Sequence, residues 1–356
     1  MSIFYEMSHL PLGILDCSVE NLGQYLSGPT LVRLPGLRQP PVFVSVLLHG
    51  NEHSGFVAIQ SLLKEYFSRG HRLPRECWIF FGNLEAAKRN KRRLDEGPDF
   101  NRIWDETEAS LRPMVSYIKE QILKKKIEIV IDIHNNTGVN PIYSCITSPN
   151  KACLGLASLF SNFVILATEP KSALSLQFSS LVPVAMTLEC GISRSPLGIE
   201  RAKKLVRACL EMESSELYNL PIEHIEAYQS MARIEIDRGL SVGLMGDTGR
   251  QPDLLLRPDL EQMNFREYDS GTFLGRLKFP KKSWCRVLPM AEGFDMNIFR
   301  VRGLNIEFNQ PLVPAMFTLE KEILKQDCLG YLMKRTLVEL GRGDDTMELH
   351  LEGSPT

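Results

Sequence analysis

The first half of the chain alternates continuous apolar runs with stretches whose apolar residues recur every three or four positions. The run Pro41–Leu48 predicts a strand buried on both faces, and Cys77–Phe81, a second apolar run, predicts another buried strand. Two mainly apolar segments, Ile127–Ile133 and Pro183–Leu188, also predict strands. The periodic stretches predict helices, and they lie at Ser54–Phe67, Glu106–Lys126 and Leu197–Met212. This alternation predicts an α/β fold with a mixed, mostly parallel central sheet and helices on both faces.

The pattern changes near Leu220–Pro221. Beyond that point the apolar segments are short and are bounded by Gly, Pro and Asp. Examples are Ala232–Ile236, Val287–Met290 and Asn305–Phe308. Such segments predict a smaller β-rich domain, and we expect a final helix over Ala315–Leu340. The sequence therefore predicts an α/β domain over residues 1–220 and a β-rich C-terminal domain with a terminal helix over residues 221–356.

Composition and charge exclude several classes of protein. The 356 residues carry 41 basic and 43 acidic side chains, a formal net charge of −2, so we expect no chain-wide nucleic-acid or anionic-membrane surface. The apolar runs are far below the ~20 residues that cross a bilayer. The N-terminus shows no basic segment followed by an apolar one, so we expect no signal peptide. Eight cysteines without a C-x-x-C pair indicate reduced thiols of a cytoplasmic protein.

Candidate chemistry lies where the predicted strands end. The segment His49-Gly-Asn-Glu52 follows the first apolar run, and His134 follows the run Ile127–Ile133. Open α/β sheets bind ligands at the carboxyl ends of their strands, so these side chains can meet at one point. Two His and one Glu, with a position left for water, form a catalytic zinc set. A lone His is usually an ordinary surface or core residue, but two that end buried strands suggest a common task.

Three further residues near these strand ends each have two interpretations. His53 is either a third candidate ligand or a residue that caps the helix or supports a ligand, and we favour the second interpretation. Asp132 either orients His134 or is an ordinary carboxylate at the end of a strand. Glu189 ends its own apolar run, so we expect a proton-transferring carboxylate rather than a salt-bridged residue at the edge of the core.

The segment from Gly82 to Arg102 follows a predicted strand and is rich in cations. Five of the six residues Lys88–Arg93 are basic, a run that is also typical of solvated loops and of local nucleic-acid patches. The segment begins at the end of a predicted strand beside the proposed metal, and this position favours a role in the site. One guanidinium can polarise a scissile carbonyl, and another can bind a substrate carboxylate through two hydrogen bonds.

As a set, these motifs resemble the succinylglutamate desuccinylase/aspartoacylase group of the zinc carboxypeptidase superfamily. The family's H-x-x-E and D-[LI]-H-N motifs correspond to His49–Glu52 and Asp132–Asn135. Its catalytic Glu, which precedes a small residue and Gly, corresponds to Glu189. The segment Phe265–Gly275 also resembles the β-rich domain of the family, though less specifically.

The cation-rich segment carries the remaining family motifs. The family's G-N-P-x-A is matched by Gly82–Ala86, with Leu84 in place of Pro. Its R-Y-x-D and D-L-N-R motifs correspond to Arg92–Asp95 and Asp99–Arg102. Arg93 stands where the family has Tyr, and Glu96-Gly97 corresponds to a two-residue insertion. Arg93 is therefore a rival of Arg92 for the role of polarising the carbonyl.

The resemblance implies a zinc carboxypeptidase-like fold, with the catalytic domain over residues 1–220. It implies a hydrolase that cleaves an amide with a zinc-activated water, and one zinc ion held by His49, Glu52 and His134. The zinc assignment also agrees with the nitrogen and carboxylate ligand types.

The resemblance also implies roles for the other motif residues. Arg92 would stabilise the developing oxyanion together with the zinc. Asn101 and Arg102 would bind a substrate carboxylate, and Asn135 would help to position the substrate. Glu189 would move the protons.

The sequence therefore predicts a zinc-dependent amidohydrolase that cleaves the linear amide of an N-acyl amino acid or a similar small carboxylate. A zinc carboxypeptidase or peptide amidase is the first alternative. A zinc-holding pseudoenzyme with a binding role is the second, and it is disfavoured because every motif residue keeps the required chemistry. The expected partner is a small-molecule substrate bearing a carboxylate, with no nucleic acid and no membrane, and the sequence does not indicate the oligomeric state.

Overall fold

The apolar runs of the first half form strands of one sheet. The structure, a computed structural model, describes residues 4–222, 224–247, 252–280, 283–340 and 347–351. The chain divides into two compact units. The first comprises Met1–Asn136, Ile142–Glu226 and Val338–Glu348, and the second comprises Thr137–Pro141, Ala227–Leu337 and Leu349–Thr356.

The sheet of the first unit is mixed and mostly parallel, as expected. Its strands are β1 (Tyr5–Met7), β2 (Thr30–Leu34), β3 (Val42–Val46), β4 (Cys77–Phe81), β5 (Ile129–His134), β6 (Tyr143–Ile146), β7 (Phe163–Leu166) and β8 (Val184–Glu189). Their order is β1-β2-β4-β3-β5-β8-β6-β7. The pairs β2–β4 and β8–β6 are antiparallel, and the other neighbouring pairs are parallel. The central strands β3, β4, β5 and β8 are therefore parallel to one another, so their carboxyl ends share one edge.

Helices cover both faces of this sheet, which confirms the expected layers. They are α1 (Ser54–Ser68), α2 (Leu84–Lys88), α3 (Arg112–Lys124), α4 (Lys151–Phe160), α5 (Leu174–Phe178), α6 (Pro196–Glu211) and α7 (Ser214–Leu217), and two short 3₁₀ helices precede β2 at Ile14–Asp16 and Val19–Gln24. Alternate side chains of a strand point to opposite faces. Accordingly, Val44 and Val46 join a core with α1, α4 and α6, whereas Phe43 joins a second core with α3 and α5.

The three helices predicted in the first half of the chain begin and end close to observed helices, with one exception. Helix α3 begins at Arg112 rather than at the predicted Glu106. Glu106 has a positive φ of 66°, which no residue inside a right-handed helix adopts. Pro113 then lies in the first turn of α3, where its missing N–H costs no hydrogen bond.

The second unit is rich in strands, which confirms the expected β-rich C-terminal part. From Glu226 onwards the elements are β9 (Glu226–Ile236), β10 (Val242–Leu244), β11 (Leu254–Leu256), β12 (Phe273–Leu277), β13 (Cys285–Pro289), β14 (Phe299–Arg302), β15 (Asn305–Phe308), β16 (Val313–Ala315), α8 (Lys321–Gln326), β17 (Gly330–Leu340) and β18 (Met347–Leu351), with a short 3₁₀ helix at Leu260–Met263. One sheet has the order β10-β11-β12-β15-β14. A second group pairs antiparallel in the order β13-β9-β17-β16. Both groups contribute to a core that contains Ile234, Phe308 and Leu332.

The expected helix over Ala315–Leu340 is wrong. Only α8 is helical there, and β17 instead pairs antiparallel with β9. Gly330 shows why, because its φ of 150° is incompatible with a helix and a Cβ there would lie 2.7 Å from the carbonyl oxygen of Ala315. The spacing of apolar residues in this segment suits a helix, but the glycine turns the chain into the sheet.

Two further observations concern the chain as a whole. All eight cysteines are free thiols. Among the residues that the structure describes, no helix combines the length and the apolar character that crossing a membrane requires.

Candidate metal centre and active site

Two imidazoles and one carboxylate converge at the carboxyl ends of β3 and β5. The Nδ1 atom of His49 lies 2.8 Å from Oε1 of Glu52, and the Nδ1 atom of His134 lies 2.7 Å from Oε2 of the same carboxylate. The three candidate ligand atoms lie within 4.8 Å of one another, and all three side chains are buried. The structure thus brings together the three residues that the sequence predicts as metal ligands.

A close backbone approach shapes the turn that carries His49 and Glu52. A Cβ atom at Gly50 would lie 2.1 Å from the backbone nitrogen of Ala87, so only glycine fits at this position. The Gly50 N–H also donates to the carbonyl oxygen of Arg92. The turn is therefore packed directly against the segment that follows β4.

The Nε2 atom of each imidazole, on the side of the ring away from Glu52, contacts a second carboxylate. Nε2 of His134 lies 2.6 Å from Oδ2 of Asp132, and Nε2 of His49 lies 3.1 Å from Oδ1 of Asp99. Such partners fix the orientation of a ligating ring and leave its other nitrogen for the metal. Of the two interpretations of Asp132, the contact with His134 is the one observed.

The residues present fit a zinc ion. Two His nitrogens and one Glu oxygen form a ligand set of catalytic zinc sites. Burial alone would raise the pKa of Glu52, but His49 and His134 hold that pKa far below the usual range of a carboxyl group. Burial opposes the charged form of His134, yet Asp132 and Glu52 raise its pKa well above the ordinary value. The cluster therefore favours a cation between these groups, and a bound metal would replace the imidazole proton.

Of the two rival arginines, only Arg92 contacts the cluster. Its Nη1 atom lies 3.8 Å from Oε1 of Glu52, and its Nη2 atom lies 3.3 Å from Oδ2 of Asp99. Arg93 instead donates to the backbone carbonyls of Leu94, Asp95 and Gly97 in its own loop. Arg92 therefore has the better position to act on a substrate carbonyl beside the metal.

Asp99 also belongs to the site, although no role for it was predicted from the sequence. Its carboxylate contacts His49 and Arg92 and accepts a hydrogen bond from the backbone N–H of Asn101. Burial would raise the pKa of Asp99, but His49 and Arg92 hold it well below the usual range. The available signal was its place in the motif Asp99–Arg102, two residues before a predicted substrate-binding residue.

Asn101 and Arg102 lie beside the same cluster. The Nδ2 atom of Asn101 lies 3.5 Å from Nε2 of His134, and its Oδ1 accepts a hydrogen bond from the backbone N–H of Leu174. Nη1 of Arg102 donates to the carbonyl oxygen of Asn101 at 2.8 Å. The loop thus holds the Asn101 amide beside His134, and the Arg102 charge contributes to the lowered pKa of Asp99.

Asn135 and His53 make contacts that join the surrounding loops. The Nδ2 group of Asn135 donates to Ser54 Oγ and to the carbonyl oxygen of Gly191, and its Oδ1 accepts from the Ser54 N–H. The Asn135 amide is therefore bonded within the fold, and its backbone N–H donates to Oε2 of Glu52. Nδ1 of His53 accepts from Arg194, and its Nε2 lies 3.1 Å from the Gly50 carbonyl oxygen, outside the ligand cluster.

Glu189 ends β8 directly beside His134. The two residues are paired in register across β5 and β8. Glu189 is buried, and its Oε2 atom has no hydrogen-bond partner within the described part of the chain. Burial raises the pKa of Glu189 to about 7, close to the value that suits a group which accepts and returns a proton at neutral pH.

Comparisons with known proteins concern the family and the fold. The family model described as the succinylglutamate desuccinylase/aspartoacylase catalytic domain matches residues 38–215, half of the chain. That range contains every candidate site residue named above. No curated protein matches the sequence at a significant level.

Solved structures share the fold at low sequence identity. A succinylglutamate desuccinylase from Vibrio parahaemolyticus is 14% identical with a TM-score of 0.58, covering 90% of this chain and 89% of that one. Its counterpart from Vibrio cholerae is 14% identical with a TM-score of 0.57, covering 87% and 85%. Murine aminoacylase 3 is 15% identical with a TM-score of 0.52, covering 84% and 97%. At such identities the likeness establishes the fold and not the reaction.

Proposed function

The chain belongs to the succinylglutamate desuccinylase/aspartoacylase family, and on that premise we propose that it is a zinc-dependent hydrolase. Its proposed substrate is the amide bond of an N-acyl amino acid or a similar small carboxylate. The observation that carries the proposal is the convergence of His49, Glu52 and His134, whose candidate ligand atoms lie within 4.8 Å of one another. Arg92 contacts Glu52 from a neighbouring loop, and Glu189 ends the strand beside His134. A buried cluster of this composition has the parts that amide hydrolysis needs.

The metal would be held by His49, Glu52 and His134. When bound, zinc supplies a Lewis acid that lowers the pKa of water and polarises a carbonyl oxygen. Asp132 and Asp99 keep the two rings oriented by bonding their Nε2 atoms. This arrangement leaves the Nδ1 atoms of both rings for the metal.

Two residues have proposed roles in the bond-breaking step. Arg92 is placed by Glu52 and Asp99 so that its guanidinium can hydrogen-bond the oxygen of the scissile carbonyl as negative charge develops there. Glu189 accepts a proton from the attacking water and returns it to the leaving nitrogen. Burial raises its pKa from the usual value of a carboxyl group, which favours proton transfer in both directions near neutral pH.

Asn101 and Arg102 have a proposed role in substrate recognition. The two residues are neighbours in one loop, where the Arg102 guanidinium donates to the backbone carbonyl of Asn101. A planar guanidinium binds the two oxygens of a carboxylate in a way that an ammonium group cannot. The expected substrate therefore carries a free carboxylate near the amide that is cleaved.

The test is metal-dependent release of free amine by the purified protein. A panel of N-acyl amino acids is assayed beside the same compounds with the carboxylate amidated, and beside dipeptides. We expect turnover of acyl amino acids that disappears with a chelator, returns with zinc and is strongly reduced by amidation. Turnover of dipeptides alone would favour the peptidase alternative, and zinc binding without any turnover would favour a binding protein.

A variant separates the recognition step from the chemistry. Arg102→Lys should weaken turnover of carboxylate-bearing substrates and should spare the residual turnover of amidated ones. An equal loss on both substrate classes would remove Arg102 from carboxylate binding.

A further inference from the structure

Ser45 is a polar residue inside a strand that is otherwise apolar. The run Val42–Leu48 reads Val-Phe-Val-Ser-Val-Leu-Leu, and Ser45 is fully shielded from solvent. Buried hydroxyls are usually hydrogen-bonded, because an unsatisfied buried polar group destabilises the fold. None of the motifs above includes Ser45. The role of its hydroxyl is therefore inferred from its hydrogen-bond partner.

That partner is Asp132 on the neighbouring strand. Ser45 and Asp132 are paired in register between β3 and β5, and neither is exposed to solvent. The Ser45 hydroxyl donates to Oδ1 of Asp132 at 2.5 Å, while Oδ2 of the same carboxylate bonds Nε2 of His134. His134 is the next residue of β5 on that face of the sheet. Both oxygens of this buried carboxylate are thus occupied by groups of the protein.

The consequence concerns the orientation of the His134 ring. With Nε2 bonded to Asp132, the ring turns its Nδ1 atom toward Glu52 at 2.7 Å. A carboxylate that bonds only the ring could rotate together with it. The hydroxyl of Ser45 holds the other oxygen, and thereby fixes the plane of the Asp132 carboxylate.

We propose that Ser45 is a positioning residue of the candidate metal centre. Its hydroxyl fixes Asp132, and Asp132 holds His134 with Nδ1 directed at the metal. Ser45 contacts neither the metal nor the substrate. The inference rests on the zinc site of the proposed function. It adds to that site a residue that supports metal binding without contacting the metal.

The first experiment measures zinc affinity of the full chain by competition with a chromophoric chelator. Partners behind a ligating His typically contribute 10–100-fold to metal affinity, so we expect about a tenfold weaker zinc affinity in Ser45→Ala. Ser144→Ala is the matched control, because Ser144 is also fully buried in a strand but its hydroxyl has no hydrogen-bond partner among the described residues. Equal affinity in Ser45→Ala and wild type would overturn the inference, whereas a wild type that binds no zinc would overturn the proposed function itself.

The second experiment tests whether Ser45 acts through Asp132. In the background of Asp132→Asn, the change Ser45→Ala should cause little further loss, because residues in one hydrogen-bonded chain show non-additive effects. An additional tenfold loss in that background would mean that Ser45 loosens the site by another route, and would overturn the inference.

A third variant covers the case in which Ser45→Ala does not fold. Ser45→Cys keeps nearly the same shape with a weaker donor, so its zinc affinity should lie between those of wild type and Asp132→Asn. Wild-type affinity in Ser45→Cys would contradict the proposed role of the hydroxyl. Urea unfolding of the zinc-free proteins measures the separate contribution of this bond to stability.

Discussion

The two ends of the same parallel strands hold buried charges in different ways. At the amino ends of β3 and β5, Arg75 is buried and donates to the carbonyl oxygens of Pro40 and Met212 at 3.0 and 2.7 Å. These contacts join the start of β3 to the residue that follows α6. Both Nη atoms of the guanidinium bond backbone groups, whereas Nε has no hydrogen-bond partner among the described residues. We therefore expect Arg75 to contribute to the stability of the fold.

At the carboxyl ends, buried charged side chains contact one another instead. His49, Glu52 and His134 share their hydrogen bonds, and Asp99 and Arg92 extend the set. Mutual contacts among ionisable side chains shift their pKa values, and groups with strongly shifted pKa values cluster at functional sites. Both ends of the sheet contain buried charges, so burial alone does not indicate a reactive site. The difference lies in the partners, which are backbone carbonyls at the amino ends and other ionisable side chains at the carboxyl ends.

The largest expected effect is the loss of the metal. His134→Ala removes one of three ligand atoms, so we expect metal occupancy well below that of wild type and activity close to background. The measurement is elemental analysis of purified protein after dialysis against a weak chelator. His53→Ala is the matched control, since His53 is equally buried but lies outside the cluster and should keep its metal. Full occupancy in His134→Ala with an intact fold would exclude His134 as a ligand.

A second change at the carboxyl ends should lower the rate and keep the metal. Glu189→Gln preserves the shape and removes the basic oxygen, and general acid–base assistance is worth about 10²–10⁴-fold. We expect kcat to fall by that factor, with zinc content and substrate binding close to wild type. Rate and bound zinc are to be measured on one preparation. Activity within a few-fold of wild type would mean that another group moves the proton, and loss of zinc would place Glu189 among the ligands.

A smaller loss is expected at Asp99. Asp99→Asn removes the charge that holds both His49 and Arg92, and loss of such a partner typically costs 10–100-fold in metal affinity or activity. Asp95→Asn is the control, because Asp95 lies in the same loop but is exposed and pairs with Lys91 at 3.7 Å. Zinc affinity and kcat/KM are the readouts. Similar behaviour of the two variants would reduce Asp99 to an ordinary loop residue.

The smallest effect on catalysis is expected at the amino ends. Arg75→Met keeps much of the volume but leaves the carbonyls of Pro40 and Met212 without this donor, which should cost about 1–3 kcal/mol of unfolding free energy. Urea unfolding measures this loss, with the exposed Arg72→Met as a control that should change stability by at most about 0.5 kcal/mol. The kcat/KM of folded Arg75→Met should equal that of wild type. A large fall in kcat/KM would break the distinction between the two ends of the sheet.

Much of the site could be predicted because the sequence pattern shows where the strands end. His49, His134 and Glu189 each lie at the end of a mainly apolar segment, and parallel strands bring their carboxyl ends to one edge. The distances between the side-chain atoms of these residues could not be predicted, since they depend on the turns that follow each strand. The same limit applies to Arg92 and Arg93, which are neighbours in sequence and are distinguished only by the path of the loop.

Other features depended on contacts distant in the sequence. Asp99 contacts a histidine 50 residues away, and no local pattern indicates such a pair. The segment after Ala315 has apolar spacing that suits a helix, but β9, about 100 residues earlier in the chain, pairs with it as a strand. Pairing with a distant strand can override local periodicity.

The absence of a side chain at Gly50 has a consequence for attempts to redesign this protein. The metal-binding turn and the segment carrying Arg92 share one point of backbone contact, at which Gly50 fits against Ala87 and donates to the Arg92 carbonyl. A loop taken from a relative with different substrate preference would have to reproduce that contact, or it would displace the metal ligands together with the arginine. Loop exchange between family members is therefore expected to succeed only when both segments are transferred as one module.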